Sequence, residues 1–503
     1  MKNRRNTFIV LGGMGFLLFV ALILYIATSR SELERVRSSL QKRGERLSPA
    51  EIVTNLPPNI SNGVNDLLSA AGGMPAAFGF PLGHVYVRPS VRLVDSEIKV
   101  MPAEVRIDGG RRIWSSNVWE EAAPYFETNR HTWVLAVDAL TNDVIRTHLD
   151  WNKGFSGLTM GHLVELKRLS GWAAMSVAYD LNRGDQDMAI LVATDGFRIL
   201  GKYQGDPTLV GMRARSALGT ILGMRTWLIL QYESWSDAQL RVFQSAVSSA
   251  GTAGSMLECM EMERAMVLQL WEQIMNDPAV AMAAFGAPGG GMRKLLLNGA
   301  VRAWNIAPAH QDMSWYLQRI QGELDLARTT VSLQSYEHFS TTKVAHATGS
   351  PAWWQWLSKM AWLDFTRTVQ IVFKAETFRE IQTAAIALKR HKLRTGKYPE
   401  KLQDLVPQYL SEVPVDWMDG RELRYRSEAD GSFKLWSIGD DLTDQGGDPS
   451  SLKKPNRYTW ESGRDWVWPT AASPSETQRF IEDNRKEWRR SIGTTGLIGV
   501  ASP

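Results

Sequence analysis

The sequence predicts a mainly α-helical protein with a smaller α+β part and a single N-terminal transmembrane helix. Residues 8–27 carry no charge. Residues 117–351 alternate apolar-periodic stretches with Gly and Pro breaks, the signature of successive helices. Residues 376–468 join one long helical stretch to a short hairpin pattern. Of 503 residues, 44% are hydrophobic and 22% charged, which excludes a disordered or collagen-like chain. A mean hydropathy of -0.22 excludes a protein with many membrane spans. The net charge of +4 is spread along the chain, so no nucleic-acid partner is expected. A single cysteine, Cys259, excludes an internal disulfide framework and any multi-cysteine metal centre.

These patterns divide the chain into an anchor (1–30), a stalk and linker (31–80), a β-containing segment (81–116), a helical array or bundle (117–351), a long helix with an α+β module (352–470) and a tail (471–503). The anchor FIVLGGMGFLLFVALILYIA has 20 residues, and a helix of that length rises about 30 Å, the thickness of a bilayer's hydrocarbon core. Lys2, Arg4 and Arg5 precede it, the positive-inside pattern for a cytoplasmic N-terminus, although Arg30, Arg35, Arg37, Lys42 and Arg43 follow. Two readings stand: an uncleaved single-pass anchor, or a signal peptide cut after Ala27-Thr28-Ser29. The apolar run exceeds the roughly 7–15 residues of a signal peptide's core, which favours the anchor. Either places the bulk of the chain outside the cytoplasm. Gly12, Gly13 and Gly15 lie inside the span, with no strand before them, so they are small residues of a membrane helix. Residues 31–47 read as a polar helical stalk continuing the span.

Leu56-Pro57-Pro58 and Gly72-Gly73-Met74-Pro75 break the chain before residue 80. From Val85 to Ile113 the pairs Val85/Val87, Val91/Leu93, Ile98/Val100 and Val105/Ile107 alternate with polar residues, which predicts two to four short strands turning at Asp108-Gly109-Gly110. Residues 163–203 read as two helices joined at Asn182 to Asp185, and 208–250 repeats the pattern. Ser236 with Gln239, and Ser255 with Glu258, have capping-box spacing and mark helix starts. A helix over 255–275 stacks Leu257, Met260, Val267, Leu270, Trp271 and Ile274 on one broad face, with Cys259 as a small buried hydrophobe, while Glu258, Glu261, Glu263 and Arg264 read as a solvated, partly self-paired face. The period is not constant, so both an array with a partner-binding groove and a closed bundle remain open. Gly219 and Gly223 form a GxxxG in the apolar run 216–231, where Arg225 argues for a buried soluble helix over a second span. Trp353, Trp354, Trp356 and Trp362 crowd one segment. Either they pack a core or, exposed, they face a partner or a membrane surface.

No catalytic motif emerges. Gly286 to Lys294 is Gly-rich but lacks GK[ST] and reads as an interhelix loop. There is no GxSxG or HExxH motif, and no SxxK-type acylation set with its companion motifs. His162 and Glu165 are three apart, but no second such pair accompanies them, so His162 reads as a core or surface histidine.

A helix over 376–394 stops at Gly396, whose freedom at positive φ suits a helix end, and Pro399 prevents continuation. Strands follow at Glu422 to Arg426 and Phe433 to Ile438 around the turn Ala429-Asp430-Gly431. Ala385 to Leu388, Gly396, Tyr398, Pro399, Leu402, Leu405, Pro414, Asp416, Gly420, Tyr425, Ser437, Gly439, Asp441, Gly446 and Gly447, closed by Asp465-Trp466-Val467-Trp468, follow one order and spacing. In that order this segment, about a fifth of the chain, resembles the globular domain of type II secretion major pseudopilins. Asp440, Asp441, Asp444 and Asp448 crowd one loop. Calcium takes six to eight oxygen ligands, and clustered carboxylates with backbone carbonyls supply them. The resemblance implies calcium in the same loop, with Asp441 the best match to a family ligand; the other reading is an acidic surface turn.

The chain departs from that family in one respect. The segment before the module, read as a helix over 352–373, contains Lys359, Asp364 and Arg367 in place of a membrane helix, and the span lies some 350 residues upstream without a Gly-(Phe/Met)-T-x-x-E processing pattern. The module looks fused to a helical body. The whole layout resembles uncharacterised membrane-anchored bacterial envelope proteins. The expectation is a non-enzymatic adaptor or scaffold, single-pass in the inner membrane with a periplasmic bulk. It would bind a protein partner in the envelope beside type II secretion or pilus-like machinery. The alternatives are an extracytoplasmic enzyme with a site assembled from scattered residues, or a cell-wall or carbohydrate binder using the 20 tryptophans.

Overall fold

The computed structural model describes residues 2–53, 56–74, 86–87, 92–93, 104–108, 111–115, 118–285, 291–345, 352, 354–362, 364–450 and 463–471. They are mainly helical with a small sheet part. The chain opens with α1 (Lys2–Lys42), α2 (Pro49–Ile52) and α3 (Val64–Gly73). Short strands β1 (Tyr86–Val87) and β2 (Arg92–Leu93) precede the hairpin β3 (Glu104–Asp108) and β4 (Arg111–Ser115). The helical body runs through α4 (Val118–Asp138), α5 (Gly154–Gly157), α6 (Gly161–Arg183), α7 (Gln186–Lys202), α8 (Leu209–Leu230), α9 (Asp237–Ser249), α10 (Ala253–Asn276), α11 (Ala279–Phe285), α12 (Gly291–Ile306), α13 (Ala309–Leu333), α14 (Tyr336–Ala345), α15 (Trp356–Ala361) and α16 (Thr366–Thr395). The last part holds β5 (Val415–Asp416), β6 (Arg421–Glu422), β7 (Arg424–Ser427), β8 (Phe433–Ser437), β9 (Trp466–Val467) and β10 (Thr470–Ala471).

One helix among the described residues is long and apolar enough to cross a membrane, over Phe16–Lys42. It runs without interruption into the stalk. Its apolar half is exposed, with Phe16, Leu17 and Leu18 each 67% accessible, whereas Leu33 and Leu40 of the polar half are buried. The change of burial along one continuous helix separates an exposed apolar part from the part that packs on protein.

The expected pairs are present. α6 ends at Gly184 (φ 83), and Asp185 then caps α7 by accepting from Met188 N. Thr208 caps α8, and Ser236 with Gln239 makes a full capping box on α9. The body closes as a bundle, because α16 packs across α8, α9 and α10 as well as against the C-terminal strands. In an open solenoid each unit would touch only its sequence neighbours. The tightest crossing is at the GxxxG of α8. A Cβ on Gly223 would lie 2.6 Å from the Phe378 ring and 2.7 Å from the Gln382 amide of α16, so glycine is what lets these helices meet.

Two boundaries differ from the sequence reading. α10 starts at Ala253, two residues before Ser255, because Glu376 of α16 caps it from across the core. Its carboxylate accepts from Thr252 N, Thr252 Oγ1 (3.0 Å) and Ala253 N (2.9 Å). The expected helix over 352–373 is instead the short α15 and then the first turns of α16. Asp364 accepts from Thr366 N (2.9 Å) and Thr366 Oγ1 (2.6 Å) in a local turn just before the helix, which then runs unbroken to Gly396. The buried Val369, Val372 and Phe373 join its first half to the core.

In the β segment, β3 and β4 pair antiparallel with Asp108 opposite Arg111, as the Asp-Gly-Gly turn requires. β1 pairs β2, and β10 from the far end of the chain adds to β2 in parallel. The pair Ile98/Val100, the loop 286–290 and the tail beyond 471 lie outside the described residues.

Candidate functional site

The C-terminal module is organised by two buried carboxylates. Asp416 accepts from Met418 N (3.0 Å), Ile438 N (3.0 Å), Ser437 Oγ (2.8 Å) and Arg424 Nη1 (2.9 Å). Burial pushes its carboxyl up to about 6, against the pull of those donors. Asp465 accepts from the backbone N–H groups of Gln445 (3.1 Å), Gly447 (2.8 Å) and Asp448 (2.9 Å), so it folds the acidic loop onto β9. Tyr425 Oη donates to Pro399 O (2.7 Å), and the Tyr398 and Tyr425 rings both pack on Phe433. The motif residues Tyr398, Pro399, Asp416, Tyr425 and Ser437 are therefore joined through direct contacts that hold helix, turn and strands together.

The four acidic-loop residues each meet a different protein partner. Asp440 binds Lys374 Nζ (2.6 Å) and Gln370 Nε2 (3.1 Å) of α16. Asp441 accepts from Thr443 N (3.1 Å) and Gln445 Nε2 (2.8 Å). Asp444 accepts from Trp436 Nε1 (3.0 Å) and Gly446 N (2.9 Å), while Asp448 accepts from Ser450 N (2.9 Å) and Ser450 Oγ (2.8 Å). Among the described residues, no group of three or more His, Cys, Asp or Glu side chains is placed to hold a metal ion. Calcium at Asp440, Asp441, Asp444 and Asp448 is a proposal carried by loop composition and the family resemblance.

A second polar centre corrects the solvated-face expectation: Glu261, Glu263 and Arg264 are buried, because partners from distant segments meet them. Just beyond α1, Glu45 meets Arg264 of α10 (3.0 Å) and Arg328 of α13 (2.5 Å). Gln321 Nε2 donates to the same carboxylate (2.8 Å). Glu261 joins Arg328 (2.7 Å) to Arg46 (2.6 Å). Glu45 and Arg264 are 4% and 0% exposed. Burial alone would raise the Glu45 carboxyl, but the Arg328 and Arg264 guanidiniums outweigh it and hold it at about 2. Residues separated by more than 200 positions in the chain make this junction, so local periodicity carries no trace of it.

The stalk is flanked by two clefts. One, of about 720 Å³, is lined by Arg37, Pro49, His148, Trp151, Leu268 and Gln269. Trp151 Nε1 and Gln269 Oε1 are buried on its wall without a hydrogen-bond partner, a donor and an acceptor whose burial is costly until something completes them. The other, of about 500 Å³, opens between Val36 and Ser39 of α1 and Gln318 and Gly322 of α13.

The remaining candidates are structural. Cys259 is 2% exposed, and burial pushes its thiol up, away from the thiolate a nucleophile needs. His162 is a core histidine bonded to Asp206 (2.6 Å), which is also bonded by Thr208 of the α8 cap. No tryptophan whose burial is described is exposed. Among them, Trp356 and Trp362 are half-buried and packed against the core. A stacking platform for sugars needs flat exposed rings, which these are not. No protein-family model matches the chain, and neither a curated protein nor a solved structure does.

Proposed function

We propose that the chain is a membrane-anchored extracytoplasmic scaffold of the bacterial inner membrane. In this reading it holds a protein partner close to the bilayer beside type II secretion or pilus-like machinery. The observation that carries the reading is the junction at Glu45. A tethered enzyme needs only a flexible linker between span and body. Here the stalk is joined to α10 and α13 through a buried carboxylate gripped by two arginines. Such a joint fixes the height and orientation of the body above the membrane, which serves a protein that presents a surface. The cleft beside the stalk, lined by Arg37, His148, Trp151, Leu268 and Gln269, supplies that surface. Crosslinking in intact cells, followed by purification of the full-length protein and identification of what is attached, tests it. Recovery of secretion or pilus-type subunits above a control membrane protein supports the reading. A profile equal to that of the control overturns it.

A further inference from the structure

The packing partners of α1 reveal which end of the body faces the lipid. α13 runs parallel to α1: Tyr25 Oη donates to Gln311, Arg43 meets Asp325 (2.9 Å), and Glu45 meets Arg328. α10 runs antiparallel: Arg46 meets Glu261, Glu45 meets Arg264, and Arg37 meets Glu272 (2.7 Å). Moving along α1 toward its apolar half therefore leads to the C-terminus of α10 and the N-terminus of α13. The chain between those two ends is α11 and α12. Asn305 Nδ2 donates to Met275 O (2.8 Å) and Trp304 Nε1 to Asp312 (2.8 Å), which fix the C-terminal part of α12 at that end. α15 is there too, through Ser358 Oγ and Asp312 O (3.1 Å). Tyr25 lies within the last turn of the apolar run 8–27, so this end of the body sits at headgroup level when α1 spans.

What α12 presents there suits that layer. Leu297, Val301 and Trp304 pack inward, while Leu295 and Leu296 are each 66% exposed and Ile306 is 63% exposed. Met360 of α15 adds another exposed apolar side chain. The α12 sequence contains Arg293, Lys294 and Arg302 and no acidic residue. Trp315 near the start of α13 and Trp362 just after α15 form a half-buried pair at the same end, with the Arg319 guanidinium over both rings. Exposed leucines with basic neighbours mark helices that lie in the membrane interface, and tryptophans gather at the same depth.

We propose that α12, with Met360 of α15, is a second membrane contact. It lies in the headgroup layer of the bilayer that α1 crosses, with Leu295, Leu296 and Ile306 inserted and the exposed Arg302 within reach of anionic lipid phosphates. This rests on the reading of α1 as a span. The test uses the full chain in vesicles of phosphatidylcholine and phosphatidylglycerol, with a nitroxide label on Leu296→Cys or, separately, Ile306→Cys. Cys259 is buried and does not compete for the label. Leu18→Cys reports the span, and Leu191→Cys, on an exposed face of α7, reports water. Labels at Leu296 and Ile306 should show a several-fold higher ratio of oxygen to nickel-chelate accessibility than the label at Leu191. If Leu18 reports lipid while Leu296 and Ile306 report water, the interfacial helix is overturned and the anchor stands. If the α12 labels are shielded from both reagents, a protein covers the face and the proposal is equally overturned. If Leu18 itself reports water, the anchor fails and the second contact fails with it.

Discussion

Glu263 is a buried carboxylate with weak compensation. Among the described residues it accepts one hydrogen bond, from Leu209 N at 3.3 Å. Burial pushes its carboxyl from 4.5 up to about 7, Arg213 pulls it down, and nearby Asp206 adds to the rise. The folded state therefore holds this proton more tightly than the unfolded chain does. The resulting stability is complete below about 4.5 and is lost as pH rises through about 7. Glu263→Gln keeps the acceptor without the charge. It should raise the apparent Tm relative to wild type at pH 8, corresponding to about 1–3 kcal/mol, and change little at pH 5. Thermal melts at the two pH values check this, and an equal effect at both would mean that charge burial is not the cause. Glu376, also buried, is different: it receives three hydrogen bonds at the start of α10 and makes an ion pair with Arg379 (2.8 Å). Neither role was legible in the sequence, where both residues are single acidic letters in helical patterns. The donors that distinguish them come from elements that the fold brings together.

At the scale of elements, the crossing of α8 and α16 depends on one of two glycines. Gly223 is closed in by Phe378 and Gln382, and Gln382 is itself held by Thr226 Oγ1 (2.7 Å). The nearest atom to a Cβ on Gly219 is Leu200 Cδ1 at 4.0 Å, so that position has room. Gly223→Ala should cost about 1–3 kcal/mol by forcing the helices apart. Gly219→Ala should be neutral or stabilise by up to about 1 kcal/mol through helix propensity. Melts of the two variants check the pair, and matching effects would refute the crossing geometry. The sequence marked the motif and its soluble burial but gave the two glycines equal weight. Their difference belongs to the partner helix. Helix starts show the same division. Ser236 and Gln239 lie within one turn and were legible, whereas the true start of α10 depends on Glu376, more than 120 residues away.

For the whole molecule, the Glu45 junction is where the N-terminal helix and the body become one unit. Removing one partner of a buried pair leaves the other charge uncompensated, at a cost of roughly 3–5 kcal/mol. Glu45→Ala should release the stalk while leaving the body folded. Spin labels on Ser38→Cys and Val242→Cys would measure it: a narrow distance distribution in the parent background and a broad one with Glu45→Ala. A narrow distribution in both would mean that the apolar contacts of Leu33 and Leu40 hold the stalk without the ion pairs. The same junction fixes the position of α12 relative to α1, so loss of the joint should also loosen the proposed interfacial contact.

By itself the sequence determined the features written in contiguous residues. These are the uncharged run of the N-terminal helix, the polar stalk, the helix stops at Gly184 and Gly396, the capping box at Ser236 and the hairpins. Each follows from local backbone preference or from the length of an apolar stretch, which neighbouring residues express without help. Only the tertiary structure decided that the helices close as a bundle around α16, that Glu376 begins α10, that Asp416 and Asp465 tie the C-terminal loops, and that Glu45 locks the stalk. Those outcomes rest on buried charges. A buried charge is tolerated only where donors from distant segments converge on it, and a linear sequence does not record that convergence.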